Sequence, residues 1–217
     1  MSRSDRPTVT AVVFDIGGVL LDWDPRHLYR KVFEDEAAME RFLGQICTPE
    51  WHEPHDRGES TAASCALLAE AHPEHAAEIW AWMTRGEEMV AGAFADTVAI
   101  LTELADAGVA VYALSNMEAE TFPLRFERFA FFGLFDGIVI SGCEGVAKPD
   151  REIFELLLER FGLDAGTTVF IDDNIENLAA ASALGLATVH HESSDGLRRS
   201  LRALGVLPGG PEDAAGA

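Results

Sequence analysis

Asp15, the pair Ser115-Asn116, Lys148 and the pair Asp172-Asp173 are the residues whose types and setting could do chemistry together. Asp15, Ser115-Asn116 and Asp172-Asp173 each close a short apolar run. Lys148 follows another such run, in the segment Ala147-Lys148-Pro149-Asp150 ahead of a helical pattern. Open α/β sheets bind ligands at the carboxyl ends of their strands. If these runs are neighbours in one parallel sheet, a single edge therefore collects three carboxylates, a hydroxyl and a lysine. The lysine stands out because the chain has just one other, Lys31. Such a set suits phosphoryl transfer. The negative oxygens of a phosphate monoester repel a nucleophile, and a hard cation such as Mg²⁺, held by clustered carboxylates, offsets that charge. A carboxylate can then attack and form an acyl phosphate. A lysine and a hydroxyl would hold the equatorial oxygens as charge builds on them.

The elements that must position these groups are legible as patterns. Ala11-Val12-Val13-Phe14, residues 109–114, Gly137-Ile138-Val139-Ile140, Thr168-Val169-Phe170-Ile171 and the weaker Ala187-Thr188-Val189-His190 are apolar runs without alternation. That is the signature of strands buried on both faces of a parallel sheet. Between them, residues 97–107, 150–161 and 175–184 show helical spacing. Asp150 is the expected N-cap of the second of these helices, and Gly108, Gly162 and Gly185 the expected stops. Alternation of this kind predicts an α/β fold with a Rossmann-like parallel sheet. From about residue 24 to 90 the spacing is helical, prolines 49, 54 and 73 punctuate it, and no convincing strand is visible. The expected division is an α/β core at 1–22 and 90–217 and a small all-helical insertion at 23–89. The Pro/Gly/Ala/acid-rich tail 208–217 is expected to be disordered.

Phe14-Asp15-Ile16-Gly17-Gly18-Val19-Leu20, Leu114-Ser115-Asn116, Lys148-Pro149-Asp150 and Ile171-Asp172-Asp173-Asn174 resemble, in order and spacing, the four motifs of the haloacid dehalogenase (HAD) superfamily. The insertion after the first motif resembles the C1 cap of that superfamily, which closes over the site and excludes water. The resemblance implies a hydrolase with Asp15 as nucleophile and metal ligand, Ser115 binding the transferred phosphoryl group and Lys148 neutralising charge. Asn116 would add a contact nearby. Mg²⁺ would be held by Asp15, the Gly17 carbonyl, Asp172 and Asp173. One position departs from the pattern. Phosphatases of the superfamily carry an Asp two residues after the nucleophile as general acid/base, and here that residue is Gly17. Asp22 and Asp24 are the nearest substitutes in sequence. The Asp-x-Gly variant, with the segment Trp51-His52-Glu53-Pro54-His55-Asp56-Arg57-Gly58-Glu59, resembles the glucose-1-phosphate phosphatase-like branch, which implies a sugar phosphate or similar monoester.

Within the insertion, His52, His55 and Arg57 are candidate substrate-binding residues, Arg57 foremost because a guanidinium could meet a second anionic group. The pairs His52/His55 and His72/His75 have a spacing that could join two imidazoles on a helix. Pro54 and Pro73 interrupt both and no cysteine is close, so zinc is not expected. There is no G-x-G-x-x-G before a helix and no P-loop, so no nucleotide cofactor is implied.

Composition narrows the class. With 16 Lys and Arg against 37 Asp and Glu, the formal net charge is −21, which repels nucleic acids and anionic membranes. Three widely spaced cysteines and no apolar h-region in residues 1–10 lead to expectations of reduced thiols, no signal peptide and a cytoplasmic setting. The expected partner is a small phosphorylated metabolite, bound by a monomer or homodimer. Three other readings follow from the same residues. A 2-haloacid dehalogenase would need no metal, and the paired acids 172–173 argue against it. A phosphomutase would need the acid/base that Gly17 lacks. A binding or regulatory protein would hold Mg²⁺ without turnover.

Overall fold

The structure, a computed structural model, describes residues 8–207. Its central sheet is five-stranded and parallel, built from β1 (Ala11–Phe14), β4 (Ala110–Ser115), β5 (Gly137–Ile140), β6 (Thr168–Asp172) and β7 (Ala187–His190) in the order β5-β4-β1-β6-β7. These are the five apolar runs expected. All four residues of β1 are buried, because the strand is central and covered on both faces. Side chains alternate across the sheet. Val12 and Phe14 join a core with Ile100, Leu101 and Leu104 of α6 (Ala95–Asp106) and Leu197 and Leu201 of α11 (Ser194–Ala203). Val13 points the other way, to Ile153, Phe154 and Leu157 of α9 (Arg151–Phe161) and Leu178 of α10 (Ile175–Ala183). Helix α9 stops at Gly162 with φ +63°, a left-handed conformation that glycine adopts without penalty. Two shorter helices complete this part, α7 (Phe122–Arg128) and α8 (Ser141–Glu144).

The segment between β1 and α6 is mainly helical: α1 (Pro25–Tyr29), α2 (Glu36–Gln45), α3 (Pro49–Asp56), α4 (Thr61–Ala71) and α5 (Ala76–Thr84). It has an apolar cluster of its own around Leu28, Tyr29, Phe42, Ile79 and Trp82. It is also bracketed by strands that the sequence did not suggest. β2 (Leu21–Trp23) pairs antiparallel with β3 (Val90–Ala93), so a two-stranded ribbon joins the helical segment to the sheet. Helices α7 and α11 were likewise not expected. Among the described residues no helix is long and apolar enough to cross a membrane. The tail from 208 lies outside the described residues.

Candidate active site

The sheet delivers the four motifs to one edge. Asp15 directly follows β1, and its N–H still donates to the Ile171 carbonyl of β6 at 2.8 Å, which fixes it beside Asp172 at the end of that strand. Lys148 Nζ lies 2.8 Å from Asp15 Oδ1 and 2.7 Å from Asp172 Oδ2, with the lysine side chain 1% exposed. Asp172 is oriented by protein donors: the Asn174 N–H at 2.7 Å on Oδ1, Lys148 on Oδ2, and Asn177 Nδ2 at 3.1 Å from both oxygens. Asp15 Oδ1 also accepts from the Ile16 N–H at 2.7 Å, so both of its protein donors sit on one oxygen. Asn116 acts on the lysine's backbone. Its Oδ1 accepts from Lys148 N at 2.8 Å and its Nδ2 donates to Lys148 O at 2.9 Å, so it positions the Lys148 loop.

The electrostatics call for a cation. Burial pushes the Asp15 carboxyl up to about 7, against the pull of Lys148. Burial works against the Lys148 ammonium too, but Asp15 and Asp172 outweigh it and hold its pKa above the ordinary value. Asp173, at the exposed side of the cluster, is raised by partial desolvation and then by Asp172. Asp15, Asp172 and Asp173 bring oxygens within 4.8 Å of one another, with one ammonium among three acids. Buried charge without compensation costs several kcal/mol. Hard oxygen donors with surplus negative charge fit Mg²⁺.

Gly18 shapes this set. Its φ is +71°, and a Cβ there would lie 2.2 Å from Asp173 Oδ2. Gly18→Ala is therefore expected to displace Asp173 and weaken Mg²⁺ binding at least tenfold, an effect on the scale of losing a group that orients a metal site. Titration calorimetry with Mg²⁺ checks this; unchanged affinity would show that Asp173 does not need its place against Gly18. At Gly17, by contrast, a Cβ meets nothing within 4 Å.

Ser115, Ile16 and Gly17 line a cavity of about 120 Å³ beside this cluster. Its other walls combine the apolar Trp23, Trp82, Met89, Val90 and Met117 with the polar His52, Asp56, Glu118 and Arg125. A second cavity of about 610 Å³ shares Trp23, His52, Asp56 and Trp82 with it and continues among Leu43, Cys47 and Pro49.

Other candidates from the sequence sit differently. Arg57 does not line the reaction cavity. It bonds to Glu53 and to the Asp150 carboxylate. Asp150 holds the N-cap position of α9, as expected, yet its side chain does not cap the helix, because it is paired with Arg57. Asp22 pairs with His27 at 2.9 Å, and Asp24 caps α1; neither lines the cavity beside Asp15. His52 lines the cavity, whereas His55 is fully buried behind it. Pro54 lies inside α3 without breaking it, so the two imidazoles do converge, 5.5 Å between ring centres. His72 and His75 lie near Glu74 and Glu78 instead.

Three charged cavity residues escaped the sequence reading: Asp56, Glu118 and Arg125. Arg125, on α7, is the guanidinium that lines the cavity, 3.3 Å from Glu87. Burial, and then Glu118, push the Asp56 carboxyl up to about 7. Burial also raises Glu118. It drives His52 down to about 3, helped by His55 and Arg125. Glu118 could have been suspected, since it follows Ser115-Asn116 by two residues; Arg125 carries no sequence signal.

The family model for haloacid dehalogenase-like hydrolases matches residues 9–185. A sesquiterpene phosphatase of Aspergillus oryzae is 32% identical over 91% of this chain and 97% of its own. A drimenol cyclase of Aspergillus calidoustus is 26% identical over 89% of this chain, which spans only 36% of that relative. Among solved structures, a HAD family enzyme from Bacteroides thetaiotaomicron in complex with magnesium and inorganic phosphate aligns with TM-score 0.64 at 20% identity, covering 85% of this chain and 94% of that one. The L-2-haloacid dehalogenase of Xanthobacter autotrophicus aligns with TM-score 0.61 at 18% identity, covering 93% and 85%. At such identities the two structures speak for the fold. With the matched model spanning most of its length and the relative from A. oryzae similar over nearly all of it, the chain belongs to the haloacid dehalogenase-like hydrolase family.

Proposed function

We propose that the protein is a Mg²⁺-dependent phosphatase that hydrolyses a small phosphate monoester through a phosphoaspartate on Asp15. The observation that carries this reading is the buried Lys148 ammonium, 2.8 Å from Asp15 and 2.7 Å from Asp172, beside a cavity that Ser115 enters. Mg²⁺, held by Asp15, the Gly17 carbonyl, Asp172 and Asp173, would offset the charge of the phosphoryl oxygens. Asp15 Oδ2, the oxygen without a protein donor, attacks phosphorus. Ser115 and Lys148 hold the equatorial oxygens. The helical segment 23–89 acts as a cap over the reacting group and keeps bulk water out.

The cavity lining favours an apolar leaving group over a sugar. Tryptophans 23 and 82 and methionines 89 and 117 give an apolar chain a surface to bury against beside the polar His52, Asp56, Glu118 and Arg125, and the adjoining cavity adds Leu43, Cys47 and Pro49 to that surface. The similarity to a sesquiterpene phosphatase supports the same preference. Each buried CH₂ is worth about 0.8 kcal/mol, so kcat/KM for farnesyl monophosphate is expected to exceed that for glucose 1-phosphate at least ~100-fold. Phosphate release measured on both substrates, with Mg²⁺ and with EDTA, tests this. A sugar preference would overturn the leaving-group assignment, and metal-independent halide release from 2-chloropropionate would revive the dehalogenase.

Asp56 takes over the proton handling that Gly17 cannot do. It is a cavity-lining carboxyl contributed by the cap. Asp56→Asn is expected to slow hydrolysis of an alkyl phosphate about 10²-fold while hardly affecting p-nitrophenyl phosphate, whose leaving group needs no proton. Equal losses on both substrates would remove Asp56 from this role.

A further inference from the structure

Outside the Asp15 cluster, two imidazoles with unmet hydrogen bonding gather around one carboxylate. His52 Nδ1 lies 3.7 Å from Glu118 Oε1, and His55 Nδ1 lies 3.8 Å from the same oxygen. Neither nitrogen makes a hydrogen bond, and neither does His55 Nε2, although the His55 side chain is 0% exposed. Buried polar atoms are normally satisfied, and each one left bare costs about 1–3 kcal/mol.

The separations discriminate between explanations. They exceed the roughly 2.7–3.2 Å of a hydrogen bond, so the imidazoles do not bond directly to the carboxylate. They are also too short for a bridging water, which would have to subtend an angle sharper than a right angle between its two partners. An ion about 2.0–2.2 Å from each donor leaves tetrahedral ligands roughly 3.3–3.5 Å apart, within a few tenths of an ångström of the separations found. One donor atom from each of the three residues lies within 4.8 Å of the others.

We propose that His52, His55 and Glu118 form a second divalent-cation site, of zinc type, that ties helix α3 to the loop after β4 beside the reaction cavity. Two imidazoles and one carboxylate select a borderline cation such as Zn²⁺ or Co²⁺, whereas the all-oxygen set at Asp15 selects Mg²⁺. The ion answers both orphaned Nδ1 atoms and adds to the positive charge that Arg125 already places near the half-buried Glu118 carboxylate. The residues come from two parts of the fold, α3 and the loop after Ser115, so occupancy fixes how the helical segment docks over the cavity. The inference does not depend on what the cavity hydrolyses.

The test loads the wild-type protein with Co²⁺ in excess Mg²⁺ and records visible absorption and bound metal. The expected result is one Co²⁺ per chain that Mg²⁺ does not displace, with the intense bands of low-coordinate, imidazole-bound cobalt. His55→Asn and Glu118→Gln should each weaken it by more than the roughly 10- to 100-fold that loss of an outer-shell partner costs. Weak bands that vanish on adding Mg²⁺ would overturn the proposal. So would intense bands that survive His55→Asn, or that are lost in Asp172→Asn alone; the last would assign the ion to the Asp15 cluster. Should both variants fail to fold, zinc-edge X-ray absorption of the wild type decides: imidazole scattering supports the site, and an all-oxygen shell or no zinc uptake refutes it.

Discussion

Lys148→Met is expected to lower the melting temperature by about 10 °C in Mg²⁺-free buffer and phosphate release by at least ~10³-fold. The lysine bonds to two buried carboxylates, Asp15 and Asp172. Removing one partner of a buried ionic group leaves the others uncompensated, at about 3–5 kcal/mol. For a chain of this size each kcal/mol moves the melting temperature by about 2–4 °C. The catalytic loss is separate, because in the proposed mechanism the ammonium that holds Asp15 Oδ1 also stabilises the phosphoryl oxygens in the transition state. Mg²⁺ should restore part of the melting temperature and little of the activity, since it neutralises the acids without supplying the ammonium. Thermal melts and phosphate assays, each with and without Mg²⁺, check both halves. A variant that melts like the wild type would show that the Lys148 bridge is not a structural tie.

Asp15→Asn is expected to have the opposite profile: a fold at least as stable as the wild type without Mg²⁺, and activity lower by at least ~10⁴-fold, the scale on which a covalent nucleophile is missed. Burial opposes the Asp15 charge more than Lys148 favours it, so a neutral amide of the same shape removes a desolvation cost along with the repulsion from Asp172. A stabilising change that abolishes activity marks a site held in a strained electrostatic state for function. Residual activity within tenfold of wild type would remove Asp15 from the chemistry.

What the sequence disclosed and what it hid have physical causes. The central strands β1 and β6 were legible because they are buried along their whole length and so read as unbroken apolar runs, whereas the edge strand β7, with two of its four residues exposed, reads as the weaker one. Lys148 was legible because lysine is scarce here. The β2–β3 ribbon was not: β2 has three residues, and strands that short exist through pairing rather than through pattern. Asp56 and Glu118 disappear among 37 acidic residues and matter only because the helical segment meets the sheet's edge beside them. Arg57 is the cavity cation that the sequence suggests, but it pairs with Asp150 and Glu53, and Arg125 from α7 lines the cavity instead. The His52/His55 pair was set aside because of Pro54. In a helix of eight residues a proline two positions from the end forfeits one backbone hydrogen bond, and α3 tolerates the loss.

The central claim is that Asp15 carries the phosphoryl group. The most direct measurement is acid quenching of the Mg²⁺-loaded enzyme during turnover of an excess of monoester, followed by borohydride reduction and peptide mass spectrometry. The account predicts a phosphate adduct confined to the peptide containing Asp15, and reduction of that residue alone to homoserine. Burst release of the alcohol product with the adduct on any other residue would contradict it.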